Sequence, residues 1–153
     1  MTMRRLSGVL LAGALLLLPA FSQGGAALAQ EAQKLTFDGD IALWTVAIRP
    51  DKTADFEQIM AKLQQALKTS SDPARQQQAQ GWKVMKMPTA LPDGNIAYVH
   101  IVNPVVRDAD YTIMQVLYDA FPEERQALYE MYRGAFAANL SLATGSVVVD
   151  MSK

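Results

Sequence analysis

The sequence contains one histidine, His100, which lies two positions after Tyr98 in a β-branched apolar stretch. Residues at this spacing on a β-strand project from the same face, about 7 Å apart. An imidazole in an apolar cavity can act as a general base or as an axial ligand to haem iron, and a phenol can orient a substrate by hydrogen bonding. Trp44, in an earlier apolar stretch, offers a surface on which an aromatic ligand can stack.

Each of these side chains also has a simpler structural role. A lone histidine without a paired motif is more often hydrogen bonded to a neighbouring strand or placed at an interface. A tryptophan on a sheet is more often part of a core or an interface than a platform for a ligand. The sequence therefore predicts no cofactor, and haem remains the one cofactor that His100 leaves open.

The composition excludes several kinds of site. The chain has no cysteine, which excludes thiol catalysis, thiolate metal sites and stabilising disulfides, and a single histidine excludes a site that needs two imidazoles. There is no Gly-x-Ser-x-Gly motif, no calcium-loop spacing among the aspartates and no glycine-rich phosphate loop after a strand. The 14 lysines and arginines are spread along the chain and outnumbered by 15 acids, which argues against a nucleic-acid partner.

Residues 1–29 have the pattern of a secretory signal peptide. Arg4 and Arg5 precede an apolar stretch over residues 6–18, and Ala27-Leu28-Ala29 offers the small residues that a signal peptidase requires. The apolar stretch is shorter than the ~20 residues that span a bilayer. We therefore expect export to a periplasm or to the outside of the cell, with no membrane contact after cleavage.

The remaining chain is expected to hold a polar lead-in over residues 30–40 and a single domain over residues 41–153. β-branched and aromatic stretches predict strands at residues 41–48, 82–87, 96–102 and 146–151. Apolar side chains at helical spacing predict helices between the first and second strands and between the third and fourth. Asp72-Pro73 is expected to begin a separate short helix, with an acidic N-cap and proline at the first position.

The order strand, helix, strand, strand, helix, strand describes two split βαβ units. Such units form an α+β, ferredoxin-like fold, in which a four-stranded antiparallel sheet carries helices on one face. The chain resembles the dimeric α+β-barrel proteins, whose best-known branch is the antibiotic-biosynthesis-monooxygenase-like domains. The likeness lies in residues 43–48 leading through Pro50 into the Asp55-Phe56 helix, in the hairpin to residues 98–100, and in the split second helix. The resemblance implies a dimeric barrel, in which the sheet of a second copy covers the open face.

The strands themselves also predict a homodimer, because both of their sides carry apolar residues and both must be covered. Small residues suit the side that helices approach closely, so Ala42, Ala47, Ala97 and Val99 are predicted to face the helices. That assignment places Trp44, Tyr98 and His100 on the open side. With Met85 of the second strand, these three residues are the predicted ligand-binding residues of the barrel.

Three functions are compatible with these features. The leading hypothesis is an exported dimer that holds a small apolar molecule in an aromatic and methionine-rich barrel. The second is a cofactor-independent monooxygenase-like or haem-handling enzyme, as the resemblance implies, with His100, Tyr98 and Trp44 in its cavity. The third is a purely structural or interaction role with a filled barrel. The sequence does not decide whether the protein is an enzyme.

Overall fold

The computed structural model describes residues 34–152, and the predicted signal peptide lies outside them. The strands are β1 (Ile41–Ile48), β2 (Trp82–Lys86), β3 (Ile96–Val102) and β4 (Phe136–Gly145). The helices are α1 (Thr53–Thr69), α2 (Pro73–Gly81), α3 (Ile113–Ala120) and α4 (Arg125–Ala135). None of the helices within residues 34–152 combines the length and the apolar character needed to cross a membrane.

The four strands form one sheet in the order β2-β3-β1-β4, and all neighbouring strands are antiparallel. β2 and β3 are antiparallel neighbours joined by the loop over residues 87–95, as the hairpin prediction requires. The two middle strands, β1 and β3, each lead into a helical connection that returns to an edge strand. The predicted α+β class and four-stranded antiparallel sheet are therefore confirmed, in an order compatible with a ferredoxin-like fold.

The helices bury one face against the sheet and against one another. α1 follows the predicted apolar spacing, and its buried residues are Phe56, Ile59, Leu63, Ala66 and Leu67. These side chains pack with apolar residues of α3 and α4 and with strand residues beneath them. α2 begins as predicted, because the Asp72 carboxylate accepts a hydrogen bond from the Ala74 N–H at 2.8 Å.

The prediction of the last strand at residues 146–151 is wrong. The fourth strand is Phe136–Gly145, which follows α4 directly and pairs with β1 along most of its length, with two register shifts. The three consecutive valines at 147–149 have the higher β-propensity, yet they lie beyond the end of β1 and have no strand to pair with in the described sheet. Pairing with β1 outweighs the local propensity.

The assignment of the two sheet faces is also wrong. Trp44, Tyr98 and His100 lie on the helix-covered face, where Tyr98 and His100 are buried beneath Phe56 of α1. Of the four small residues expected there, only Ala42 shares this face, since Ala47, Ala97 and Val99 alternate with the covered positions. Large aromatic side chains fill the space under the helices because their burial removes the most apolar area from water.

Candidate functional site

An aromatic row crosses the helix-covered face of the sheet, and His100 lies at its centre. Trp44 of β1 is directly opposite His100 of β3, and the two rings stack with centroids 4.6 Å apart. On the other side, Trp82 of β2 donates its indole N–H to Nδ1 of His100 at 3.1 Å. Phe56 of α1 approaches the imidazole edge to face at 6.2 Å. The imidazole is thus enclosed by three aromatic side chains.

His100 is held as a neutral imidazole. Its side chain is fully buried, and desolvation lowers its pKa from 6.5 to about 4. Because Nδ1 accepts the Trp82 hydrogen bond, the neutral ring carries its proton on Nε2. Nε2 is buried and has no hydrogen-bond partner among the described residues. The unpartnered Nε2–H adds to the cost of burying this ring, which the aromatic contacts offset.

A groove lies between α1, α2 and the edge strand β2, and we call it the α1–β2 groove. Its volume is about 420 Å³, within the range of roughly 300–1,000 Å³ that small-molecule sites occupy. Trp82 and Val84 form the strand side of the groove, and apolar side chains of the helices form most of the rest. The lining residues are Met60, Ala61, Leu63, Gln64, Leu67, Ala79, Trp82, Lys83 and Val84.

A second groove lies beside β4, and we call it the β4 groove. It has a volume of about 310 Å³ and is lined by Leu35, Trp44 and residues 139–142. The Trp44 indole N–H donates to Oδ1 of Asn139 at 3.0 Å, which fixes the ring in the groove wall. His100 lines neither groove, but it contacts one tryptophan from each.

Tyr98 belongs to a polar cluster at the end of the aromatic row. Its hydroxyl donates to Oε1 of Glu57 at 2.7 Å, and the Lys86 ammonium donates to the same oxygen at 2.9 Å. The hydrogen bond from Tyr98 lowers the pKa of Glu57, whereas burial raises the pKa of Tyr98. The phenol therefore stays protonated, and Glu57 of α1 is joined to β3 by Tyr98 and to β2 by Lys86. Burial likewise raises the pKa of Tyr132 to about 12.

The structure brings three of the four predicted ligand-binding residues together and separates the fourth. Trp44, Tyr98 and His100 occupy neighbouring positions under the helices, whereas Met85 lies on the opposite face of the sheet and is 45% exposed. The sequence reasoning did not select Val84 for this site. The alternation of Trp82 and Val84 along β2 places both on the face of His100, but which face the helices cover was not evident from the sequence.

No protein-family model, no curated protein and no solved structure matches the chain. Within residues 34–152, no group of three or more histidine or acidic side chains is placed to hold a metal ion. The structure shows an α+β fold with a four-stranded antiparallel sheet, and no match links the chain to the antibiotic-biosynthesis-monooxygenase-like domains.

Proposed function

We propose that this chain is an exported, homodimeric binding protein that holds a small apolar molecule in the α1–β2 groove. The observation that carries the proposal is the groove itself, which combines a volume of about 420 Å³ with a lining in which seven of the nine residues are apolar. Trp82 gives it a flat aromatic surface, and the hydrogen bond to His100 fixes the orientation of that ring. An aromatic wall held in place by a hydrogen bond favours binding, because the Trp82 ring needs little ordering when a ligand enters.

The position of His100 favours binding over catalysis. An acid–base or haem-handling role requires one imidazole nitrogen to reach a ligand. Here Nδ1 is occupied by Trp82, while Nε2 is buried and the ring lines neither groove. These contacts do not fit an axial ligand to haem iron, so no step is assigned to that cofactor.

The uncovered face of the sheet supports the homodimer. Leu43 on β1 is 43% exposed and Met85 on β2 is 45% exposed, and both project away from the helices. Val99 and Ile101 on β3 lie between them and are half-buried. An apolar patch across three adjacent strands is expected to be covered, and the matching face of a second copy is a self-complementary cover.

The binding proposal is tested by placing the same charge in each groove. The probe is N-phenyl-1-naphthylamine, a neutral apolar fluorophore. Val84→Glu introduces a carboxylate into the α1–β2 groove, and Leu142→Glu introduces one into the β4 groove. Both sites are exposed enough to tolerate the change, at 37% and 54%. We expect Val84→Glu to weaken probe binding at least about 10-fold and Leu142→Glu to leave it unchanged.

The possible results separate three conclusions. If only Leu142→Glu loses binding, the probe binds in the β4 groove and not in the α1–β2 groove. A wild-type chain that binds no probe would overturn the binding function.

The dimer is tested separately with Leu43→Glu, which places a charge in the uncovered sheet face and is expected to give a monomer in native mass spectrometry. A wild-type monomer at micromolar concentration would contradict the homodimer.

A further inference from the structure

The C-terminal segment beyond β4, residues 146–152, presents apolar side chains that nothing in the described structure covers. Val148 is 93% exposed, Val149 is 65% exposed and Met151 is 91% exposed. The beginning of the segment is anchored, because the Val147 N–H donates to the Asp40 carboxylate at 3.0 Å. An exposed run of β-branched residues next to a sheet is expected to pair with an available strand edge.

β2 offers such an edge. Gly81 and Met87 flank β2 and extend its pairing, since Gly81 accepts from Asn103, just after β3, and Met87 donates to Ala97 of β3, each at 2.9 Å. The alternation of an antiparallel ladder then directs the backbone groups of Val84 and Lys86 away from β3. No strand within residues 34–152 pairs with that side of β2. The α1–β2 groove opens beside the same edge.

We propose that the C-terminal segment of a second copy pairs antiparallel with the free edge of β2 and forms the missing wall of the α1–β2 groove. In one register, Val149 is opposite Val84 and Met151 is opposite Trp82, so both apolar side chains point towards the groove. The same register sets Asp150, whose carboxylate accepts hydrogen bonds from the Ser152 N–H and hydroxyl, opposite the positively charged Lys83 on the other face. A parallel arrangement that sets Val149 opposite Val84 gives Asp150 an uncharged neighbour, Met85.

The segment cannot reach this edge within its own chain. Thr144, Ala42, Val102 and Trp82 form one row across the sheet, with β4 at one edge and β2 at the other. A new strand beyond β2 is four strand spacings from β4, about 19 Å. The four peptide units from Gly145 to Val149 span at most about 14 Å. The segment therefore needs a β2 edge from another molecule.

The uncovered sheet face includes Met85 of β2, so a second copy seated on that face lies beside the β2 edge. The inference rests on the proposed homodimer and extends it, because it makes the binding groove incomplete in an isolated chain. In this arrangement each copy supplies a wall to the groove of the other, and the exchange is reciprocal.

Cysteine pairs test the exchange, since the chain has no cysteine of its own. Residues opposite each other in an antiparallel ladder have Cα atoms about 4.5–5.5 Å apart, within reach of a disulfide. Val84→Cys and Val149→Cys are placed on separate chains that carry tags of different length, and the purified exported proteins are mixed and oxidised. We expect a covalent dimer that contains one chain of each kind. The matched control pairs Val84→Cys with Val148→Cys, whose side chain points to the other face, and is expected to remain largely uncrosslinked.

The outcomes distinguish this inference from the proposed function. Failure of the Val84–Val149 pair to crosslink, while the wild-type chain is a dimer in native mass spectrometry, would overturn the exchange and leave the homodimer intact. A disulfide within one chain, formed when both cysteines are placed on the same molecule, would show that the segment reaches its own edge. A monomeric wild-type chain would overturn the homodimer and the exchange together.

Discussion

The indole N–H of Trp82 donates to Nδ1 of His100 at 3.1 Å, and this bond joins the wall of the α1–β2 groove to the centre of the core. The imidazole has no acidic partner in this arrangement, since its neighbours are the rings of Trp44, Trp82 and Phe56. A cationic imidazole would have no counter-charge and would lose the bond from Trp82, since both ring nitrogens would then be donors. The protonation state of His100 is therefore coupled to the stability of the fold.

We predict that the protein loses stability as the pH falls from neutral to about 5. The pKa of His100 is about 4 in the folded chain and 6.5 in a solvated one, so the unfolded chain binds a proton that the folded chain does not. The stabilisation from the neutral imidazole is complete above pH 6.5 and is lost progressively as the pH approaches 4. The loss at about pH 5 is about 2 kcal/mol, measured as the free energy of unfolding in urea.

The control for this prediction is His100→Gln, whose amide oxygen can still accept from Trp82. Its free energy of unfolding is lower at every pH, but we expect it to change little between about pH 7.5 and about pH 5. His100 is the only histidine in the chain, so no other imidazole contributes to the difference. Equal pH dependence in the two proteins would contradict the burial of a neutral ring.

We predict that Trp82→Phe destabilises the protein more than Trp44→Phe does. Both changes keep an aromatic ring beside His100 and remove one indole N–H. Loss of the Trp82 donor leaves the buried Nδ1 unpartnered, at a cost of about 1–3 kcal/mol beyond the lost packing. The Trp44 donor bonds to Asn139 at an exposed position, where water replaces it. Thermal and urea unfolding of both variants measure the difference, and equal costs would show that the bond to His100 contributes little.

We predict that Gly39→Ala is more costly than Gly94→Ala. Both glycines have positive φ, +90° and +85°, so both alanines carry the same backbone strain of about 1–2 kcal/mol. A Cβ at Gly39 would lie 2.6 Å from the carbonyl oxygen of Gly145, whereas a Cβ at Gly94 would meet nothing within 4 Å. The excess cost of Gly39→Ala in urea unfolding, about 1–3 kcal/mol, measures how tightly the end of β4 is held against this turn. Equal costs would show that the turn at Gly39 and the end of β4 can move apart at little cost in free energy.

Local chemistry explains the sequence predictions that the structure confirms, such as the start of α2 and the buried face of α1. The side chain of Asp72 and the ring of Pro73 determine where α2 begins, because capping and a fixed φ act within a few residues. The apolar spacing of α1 requires only that one side of the helix be buried. The candidate ligand residues were only partly predictable, because alternation groups Trp44, Tyr98 and His100 without saying which side of the sheet receives the helices.

The sequence by itself determined the types of the elements, their order and the antiparallel α+β class, since these depend on periodicity, capping and connection length. Only the tertiary structure decided that Trp44 and His100 lie under the helices and that the last strand is Phe136–Gly145. Both sheet faces are apolar, so which face the helices cover depends on how well large rings fill the space below α1. Likewise, residues 147–149 favour a strand by propensity, but β1 provides a partner only for the residues before them.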